Sequence, residues 1–242
     1  MEVCSICPRN GWEWMYEKPM VMLLTHLVEK YPEYAELAAN RDPSIYAMLD
    51  NSIVEMGSAF SMDRIYNAAK LIGADEIILE DDYPNGPGTI EAIARSIKWL
   101  KDNNHIGEFK LQAVCHGQNE EEFVKTFNYI NSIPEIDVIG IPKVLSKWCG
   151  DRASLAKYFL NTDKEIHFLG NWFQLGEFLR LPPEVKAKVR SADTCMFALS
   201  VIQDKDFYED RDGTIDLEAN YGVLTKEAYD SLLDRFEGEF NA

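Results

Sequence analysis

Positive charge is what this sequence has least of: 24 Lys and Arg stand against 41 Asp and Glu, a formal net charge of −17. A surface of that sign repels a phosphate backbone, which excludes a generic nucleic-acid binder held by a broad basic face. Long apolar runs are also missing. No stretch reaches the ~18 residues that a membrane span needs. The opening MEVCSICPRNGWEW lacks a basic segment followed by an apolar one, so no secretory signal is expected and the sequence points to a cytoplasm. Five cysteines, at 4, 7, 115, 149 and 195, have no disulfide-framework spacing and read as reduced thiols. Cys4 and Cys7 form a C-x-x-C with no second pair or nearby histidine; buried thiols fit better than a zinc site. No glycine-rich phosphate fingerprint follows the first strand. No metal and no cofactor are expected.

What is present is a rhythm. Short apolar runs stop on polar or glycine-containing tips: SIYAMLD, EIILEDD, LQAVCHG, VIGIP, EIHFLG and VRSADT. The spacing predicts strands at Val3–Cys7, Ser44–Asp50, Glu76–Glu80, Lys110–Cys115, Val138–Ile141, Ile166–Leu169 and Val189–Asp193. Helical patterns separate them. These include a long one over Lys18–Asn40 broken at Pro32, one capped by Ser61 and closed by Gly73, and one with Thr89 as its N-cap. Others are expected near Arg152–Leu160, Phe173–Leu179, Pro183–Lys188 and in CMFALSVIQ. Strands alternating with helices imply parallel pairing, since each return needs a crossover. The fold class expected is α/β, a single-domain (β/α)8 TIM-type barrel over 1–242 with one strand poorly marked. An open doubly wound sheet is the alternative. Residues 204–242 read as a solvated acidic loop and a terminal helix, Thr225–Phe236.

In a parallel barrel the carboxyl-terminal strand ends open on one face, and that face holds the site. Asp50, Asp81, His116, Gly140, Gly170 and Asp193 should therefore meet around one pocket. An acid at the end of an apolar strand loses hydration and gains no packing, which favours a functional reading over an N-cap when several coincide. Gly117, Gly140 and Gly170 would let a flat ligand approach the backbone, although tight turns explain any one of them. Asn51 follows Asp50 at the same tip and joins the candidate ligand-binding set. His167 reads as a structural histidine inside a strand, and His26 and His105 receive no role. Local basic clusters are conceivable at Lys143, Lys147 and Arg152 and at Lys186, Lys188 and Arg190. Two carboxylates facing a pocket suit chemistry at a sugar anomeric carbon, one attacking or shielding C1′ and the other handling protons.

Six motifs come in an order that resembles the tRNA-guanine transglycosylase superfamily. They are LDNS-x-x-E (Leu49–Glu55), EIILEDD with Thr89-Ile90-Glu91, VCHG (Val114–Gly117), DVIGIP (Asp137–Pro142), IHFLG (Ile166–Gly170) and RSADT (Arg190–Thr194). The likeness is greatest to the phage and bacterial DNA branch, which inserts 7-deazaguanines into DNA, and it spans roughly residues 44–200. The resemblance implies that Asp193 displaces guanine and forms a covalent glycosyl intermediate, with Asp50 as partner acid or base. It implies that Asp81 binds the base through its N–H groups and that His116 stands where the family has glutamine, followed by Gly117. Ile141 and Leu169 would line the base pocket, with a backbone amide near Gly140 or Ile141 touching the base. The partners implied are a purine or 7-deazapurine base and a nucleic acid, DNA in preference to tRNA, with a helper protein conceivable. The cytoplasm would be the host's if the chain is phage-encoded. Three features depart from the family: Ser52 replaces its glycine, Val54 its stacking aromatic, and nothing after Cys195 forms its zinc site. The alternatives left open are a nucleoside or nucleotide N-glycosyl hydrolase and a non-catalytic barrel that binds a base or a partner.

Overall fold

A computed structural model describes residues 1–170, 177, 180–206 and 215–240. Eight strands form one parallel sheet: β1 (Glu2–Ser5), β2 (Met20–Leu24), β3 (Tyr46–Asp50), β4 (Glu76–Ile78), β5 (Lys110–Val114), β6 (Val138–Pro142), β7 (Glu165–Leu169) and β8 (Val189–Thr194). Their order is β1-β8-β7-β6-β5-β4-β3-β2, and every ladder is parallel. The two end strands, β1 and β2, lie side by side, so the sheet is a nearly closed barrel with helices around it. The expected (β/α)8 TIM-type fold is the observed one.

The strand hard to mark in the sequence is β2. The expectation of a helix from Lys18 to Asn40 is corrected here: Met20–Leu24 is a strand, followed by short helices at Thr25–Lys30 and Pro32–Ala39. MVMLL is buried at every position, and an unbroken apolar run is compatible with either a buried strand or a buried helix. Pairing decided it, since β2 runs alongside β3 from Met20↔Tyr46 to Leu24↔Asp50. A second correction concerns Thr89. The helix Gly86–Asp102 is capped by Asn85, whose side chain accepts the Gly88 N–H. Thr89 instead exchanges hydrogen bonds with the backbone of Asp82. Ser61 does occupy the N-cap of Met62–Ile72 but makes no side-chain cap bond, and Gly73 closes that helix at φ 59°. The helix expected at Phe173–Leu179 lies outside the described residues, Glu177 excepted.

The barrel interior is layered. At the amino-terminal floor, Arg190 grips Glu76 with both guanidinium nitrogens (2.7 and 3.1 Å) and reaches Glu165 at 3.1 Å. The Tyr46 hydroxyl donates to Glu76 at 2.7 Å, and Lys110 pairs with Glu165 at 2.8 Å. Above this floor lies an apolar layer of Cys4, Met20, Met22, Met48, Ile78 and Val114. Outside, the larger core packs strands against helices, each fully buried Leu, Ile or Phe contributing roughly 1.5–3 kcal/mol. The terminal helix Lys226–Phe240 closes over Met196–Gln203, with Phe197 edge-on to Tyr229 and Phe236. Cys4 and Cys7 are free and buried, and burial pushes the Cys7 thiol up to about 12.

Candidate active site

A cavity of about 680 Å³ opens at the carboxyl-terminal ends of the strands. It is lined by Asp50, Asp81, His116, Leu169, Gly170 and Asp193 together with Met22, His26, Tyr83, Lys143 and Lys147. Its size suits a small organic ligand. Among the candidates read from sequence, four of the five polar tip side chains, Asp50, Asp81, His116 and Asp193, therefore reach one wall system. Asn51, Gly117, Gly140 and Ile141 do not. Asn51 is buried beneath the tip, donating to the Leu79 carbonyl (2.7 Å) and accepting the Ile53 N–H (3.0 Å). A Cβ on Gly117 would stand 2.4 Å from the Phe123 nitrogen, so that glycine seats a helix against the strand. Gly140 makes room for Leu169 and Gln112, which its Cβ would meet at 2.6 and 2.9 Å. Ile141 is core, its carbonyl accepting from Arg152 at 2.7 Å.

Asp193 is the penultimate residue of β8 and is 5% exposed. Its Oδ1 accepts the Gly170 N–H at 2.9 Å and pairs with His167 Nε2 at 3.2 Å. Since that oxygen is an acceptor, the facing imidazole nitrogen donates, and His167 Nδ1 then accepts a hydrogen bond from the Ser191 hydroxyl at 2.7 Å. Both bonds fall on Oδ1, so the carboxylate is oriented through one oxygen while Oδ2 accepts none of the hydrogen bonds among the described residues. His167 is thus more than a satisfied strand histidine: it is the side chain that aims Asp193. In the sequence the only trace is β-sheet alternation, which puts His167, Ser191 and Asp193 on inward faces once β7 and β8 are paired.

Asp50 ends β3. Its Oδ2 accepts the Ser52 N–H at 2.6 Å, and its own carbonyl accepts the Thr25 hydroxyl at 2.5 Å. Burial first, then the charges of Glu55, Asp81 and Asp193, push its carboxyl well above the usual carboxylate range. The Ser52 N–H opposes that shift without cancelling it. Glu55 is raised too, by desolvation and then by Asp193, though its exposed side chain tempers the effect. Several carboxylates on one wall disfavour one another's ionised forms, so Asp50, itself only partly buried, is pushed toward its protonated form beside an oriented carboxylate. Ser52, where a glycine would be easy, sits at φ 61°. Its Oγ accepts the His26 N–H (3.1 Å) and contacts His26 Nδ1 (3.0 Å), bonds that hold the left-handed turn. His26, given no role from sequence, lines the cavity.

Asp81 and His116 form the third element. Asp81 Oδ2 meets His116 Nε2 at 3.0 Å, and the Tyr83 ring packs edge-on to the imidazole with centroids 5.5 Å apart. Asp81 Oδ1 and His116 Nδ1 are buried with no hydrogen-bond partner among the described residues. An unmet buried polar atom costs about 1–3 kcal/mol, so such atoms call for an explanation.

The rim is apolar and weakly basic. Val54, Met56 and Tyr83, at 65%, 53% and 42% exposed, are large side chains lining the mouth. Lys143 and Lys147 stand on the β6 side. The basic clusters conceived from sequence do not form as trios. Arg152 is buried against Glu177 (2.8 and 3.0 Å) and caps carbonyls of Ile141 and Leu169, while Arg190 is in the barrel floor. Part of the segment read as a solvated acidic loop, Ile215–Glu218, forms cavity wall, with Glu218 accepting from Lys30 and Tyr31. Among the described residues, no group of three His, Cys, Asp or Glu side chains is arranged to hold a metal ion, and no helix is long and apolar enough to cross a membrane.

No family model and no curated protein sequence matches the chain. Solved structures match its fold. The YdjI aldolase from Escherichia coli K12 superposes with a TM-score of 0.58 at 8% identity, covering 100% of this chain and 90% of that one. The methylaspartate ammonia lyase of Citrobacter amalonaticus gives 0.55 at 12% identity, covering 100% of this chain and 59% of the lyase. A mandelate racemase/muconate lactonizing enzyme from Roseiflexus sp. gives 0.50 at 8%, covering 79% and 54%. The class defined is therefore a TIM-type barrel, a fold these enzymes share. At such identities the likeness concerns architecture and carries no activity.

Proposed function

We propose that this barrel is a base-exchange N-glycosyl transferase that replaces guanine in a nucleic acid, DNA in preference to tRNA, by a 7-deazaguanine. The observation that carries the reading is the convergence of Asp50, Asp81, His116 and Asp193 on one cavity from four strand ends. Asp193 Oδ2 attacks C1′ as the C1′–N bond to the outgoing base breaks, the bonding electrons leaving on that nitrogen. Asp50 supplies the proton that neutralises the departing base. The covalent glycosyl ester then meets the incoming base, whose ring N–H gives its proton to the Asp50 carboxylate as the nitrogen attacks C1′ and releases Asp193. His167 and the Gly170 amide keep the attacking carboxylate aimed throughout.

Charge limits how the polymer is met. Lys143 and Lys147 give the rim a small cationic side, sufficient for a phosphate or two. The remainder of a −17 chain offers little to a duplex, so the target nucleotide must be extruded and further basic surface supplied by a partner protein. The decisive test is Asp193→Asn. Labelled guanine is incubated with protein and DNA, tRNA or a mononucleotide. The variant is expected to lose base exchange and the trappable covalent intermediate while its circular dichroism is unchanged. Retention of full exchange ends the mechanism; release of base without uptake of label indicates a hydrolase instead.

A further inference from the structure

We propose that Arg152 is a positioning residue for Asp193, acting through the single peptide group that joins Leu169 to Gly170. The inference rests on the base-exchange reading above and adds a residue that aims the attacking carboxylate at one remove.

The contacts run without a break. Asp193 Oδ1 accepts the Gly170 N–H at 2.9 Å. The other edge of that same peptide is the Leu169 carbonyl, which accepts from Arg152 Nη1 at 2.8 Å. A trans peptide is planar with its C=O and N–H on opposite edges, so fixing the oxygen also fixes where the N–H points. Nη1 donates to the Ile141 carbonyl too, at 2.7 Å, which ties the end of β6 to the end of β7. Nη2 reaches the Gly170 carbonyl at 3.4 Å and Glu177 Oε2 at 3.0 Å, while Nε meets Glu177 Oε1 at 2.8 Å. Every N–H of the guanidinium is thus directed, which holds its plane against rotation. A lysine has fewer donors and no fork, so it could not bracket both strand ends and Glu177 together.

Charge adds to direction. Arg152 is 1% exposed and Glu177 6% exposed, so solvent does little to screen the cation from the peptide it touches. A cation on a carbonyl oxygen polarises the amide and strengthens its N–H as a donor. Gly170 makes the geometry accessible, because its φ of 67° is left-handed and suits glycine. Asp193 Oδ1 is therefore held from two sides, by the His167 ring and by a peptide that Arg152 sets.

Nuclear magnetic resonance of the labelled whole chain tests this without turnover. The wild-type Gly170 amide proton should lie downfield and exchange slowly, and Asp193→Asn should move it. The double variant Arg152→Gln/Glu177→Gln replaces both ions by amides and strands neither charge. In it the Gly170 amide should shift upfield and exchange at least about 10-fold faster, while amides of β3, across the barrel, keep their protection. In base exchange kcat should fall at least about 10-fold with KM near its original value. Arg152→Lys, which retains the cation beside Glu177, should show the same amide change to a smaller extent. A wild-type Gly170 amide that exchanges freely overturns the proposal, even if a variant fails to fold. So does a folded double variant with that amide unchanged, or one in which β3 loosens as much or KM rises as kcat falls. Wild-type protein with no base exchange sinks the transferase reading, and the Gly170 amide then decides this proposal alone. Exchange that is lost in Asp193→Asn but indifferent to Arg152 does the reverse.

Discussion

Replacing Arg190 by methionine probes the barrel floor, and its cost follows from the geometry. Glu76 is fully buried and receives both Arg190 guanidinium nitrogens, at 2.7 and 3.1 Å, plus the Tyr46 hydroxyl at 2.7 Å. Methionine fills much of the arginine stem's volume, so the main loss is the cation. Removing one partner of a buried pair costs about 3–5 kcal/mol, because the other charge is stranded. The Tyr46 hydroxyl remains, which places the expectation toward the lower figure. For a chain of this size 1 kcal/mol shifts Tm by roughly 2–4 °C, so Tm should fall by about 6–12 °C. Urea unfolding of both proteins at neutral pH reads this directly. A deficit below about 1 kcal/mol refutes the account of the floor as an interdependent ion pair.

Two further outcomes bear on the site. His167→Leu leaves the Asp193 carboxylate held by the Gly170 N–H alone, so kcat for base exchange should drop roughly 10²-fold while KM for the nucleic acid stays near its original value. An equal rise in KM, or an unchanged kcat, removes His167 from the aiming role. Asp50→Asn should abolish exchange yet stabilise the fold at neutral pH. With its folded pKa raised, wild-type Asp50 favours folding less and less as pH climbs above the unfolded value near 4, and asparagine relieves that penalty. Thermal melts from pH 5 to 8 should show the variant's advantage widening with pH; a variant less stable than wild type at pH 8 contradicts the burial argument.

Local chemistry wrote a good deal of this protein. Apolar runs ending on Asp50, Asp193 and the acidic Glu80–Asp82 tip were enough to mark strands and to orient them in parallel. Parallel closure alone then implies that their ends share a face, and the cavity gathers Asp50, Asp81, His116 and Asp193 there. Periodicity could not identify β2, because a run buried on all sides carries no alternation. It also could not say which glycines meet the ligand. Gly170 lines the cavity, whereas Gly117 and Gly140 are consumed by close packing, and only neighbours in space distinguish the two uses.

The partnerships are where tertiary structure had the last word. Asp193 is aimed by His167, 26 residues away, and Asp81 meets His116 across 35. Arg152 and Arg190, which a linear reading groups with surface lysines, are drawn inward into ion pairs with the buried Glu177 and Glu76. The sequence by itself determined which residue types stand at strand ends, since hydropathy and chain direction are local properties. Which acid holds a proton, which is oriented by a histidine, and which is left with an unmet oxygen depend on burial and on charges brought together through space. Those were decided by the closure of the barrel.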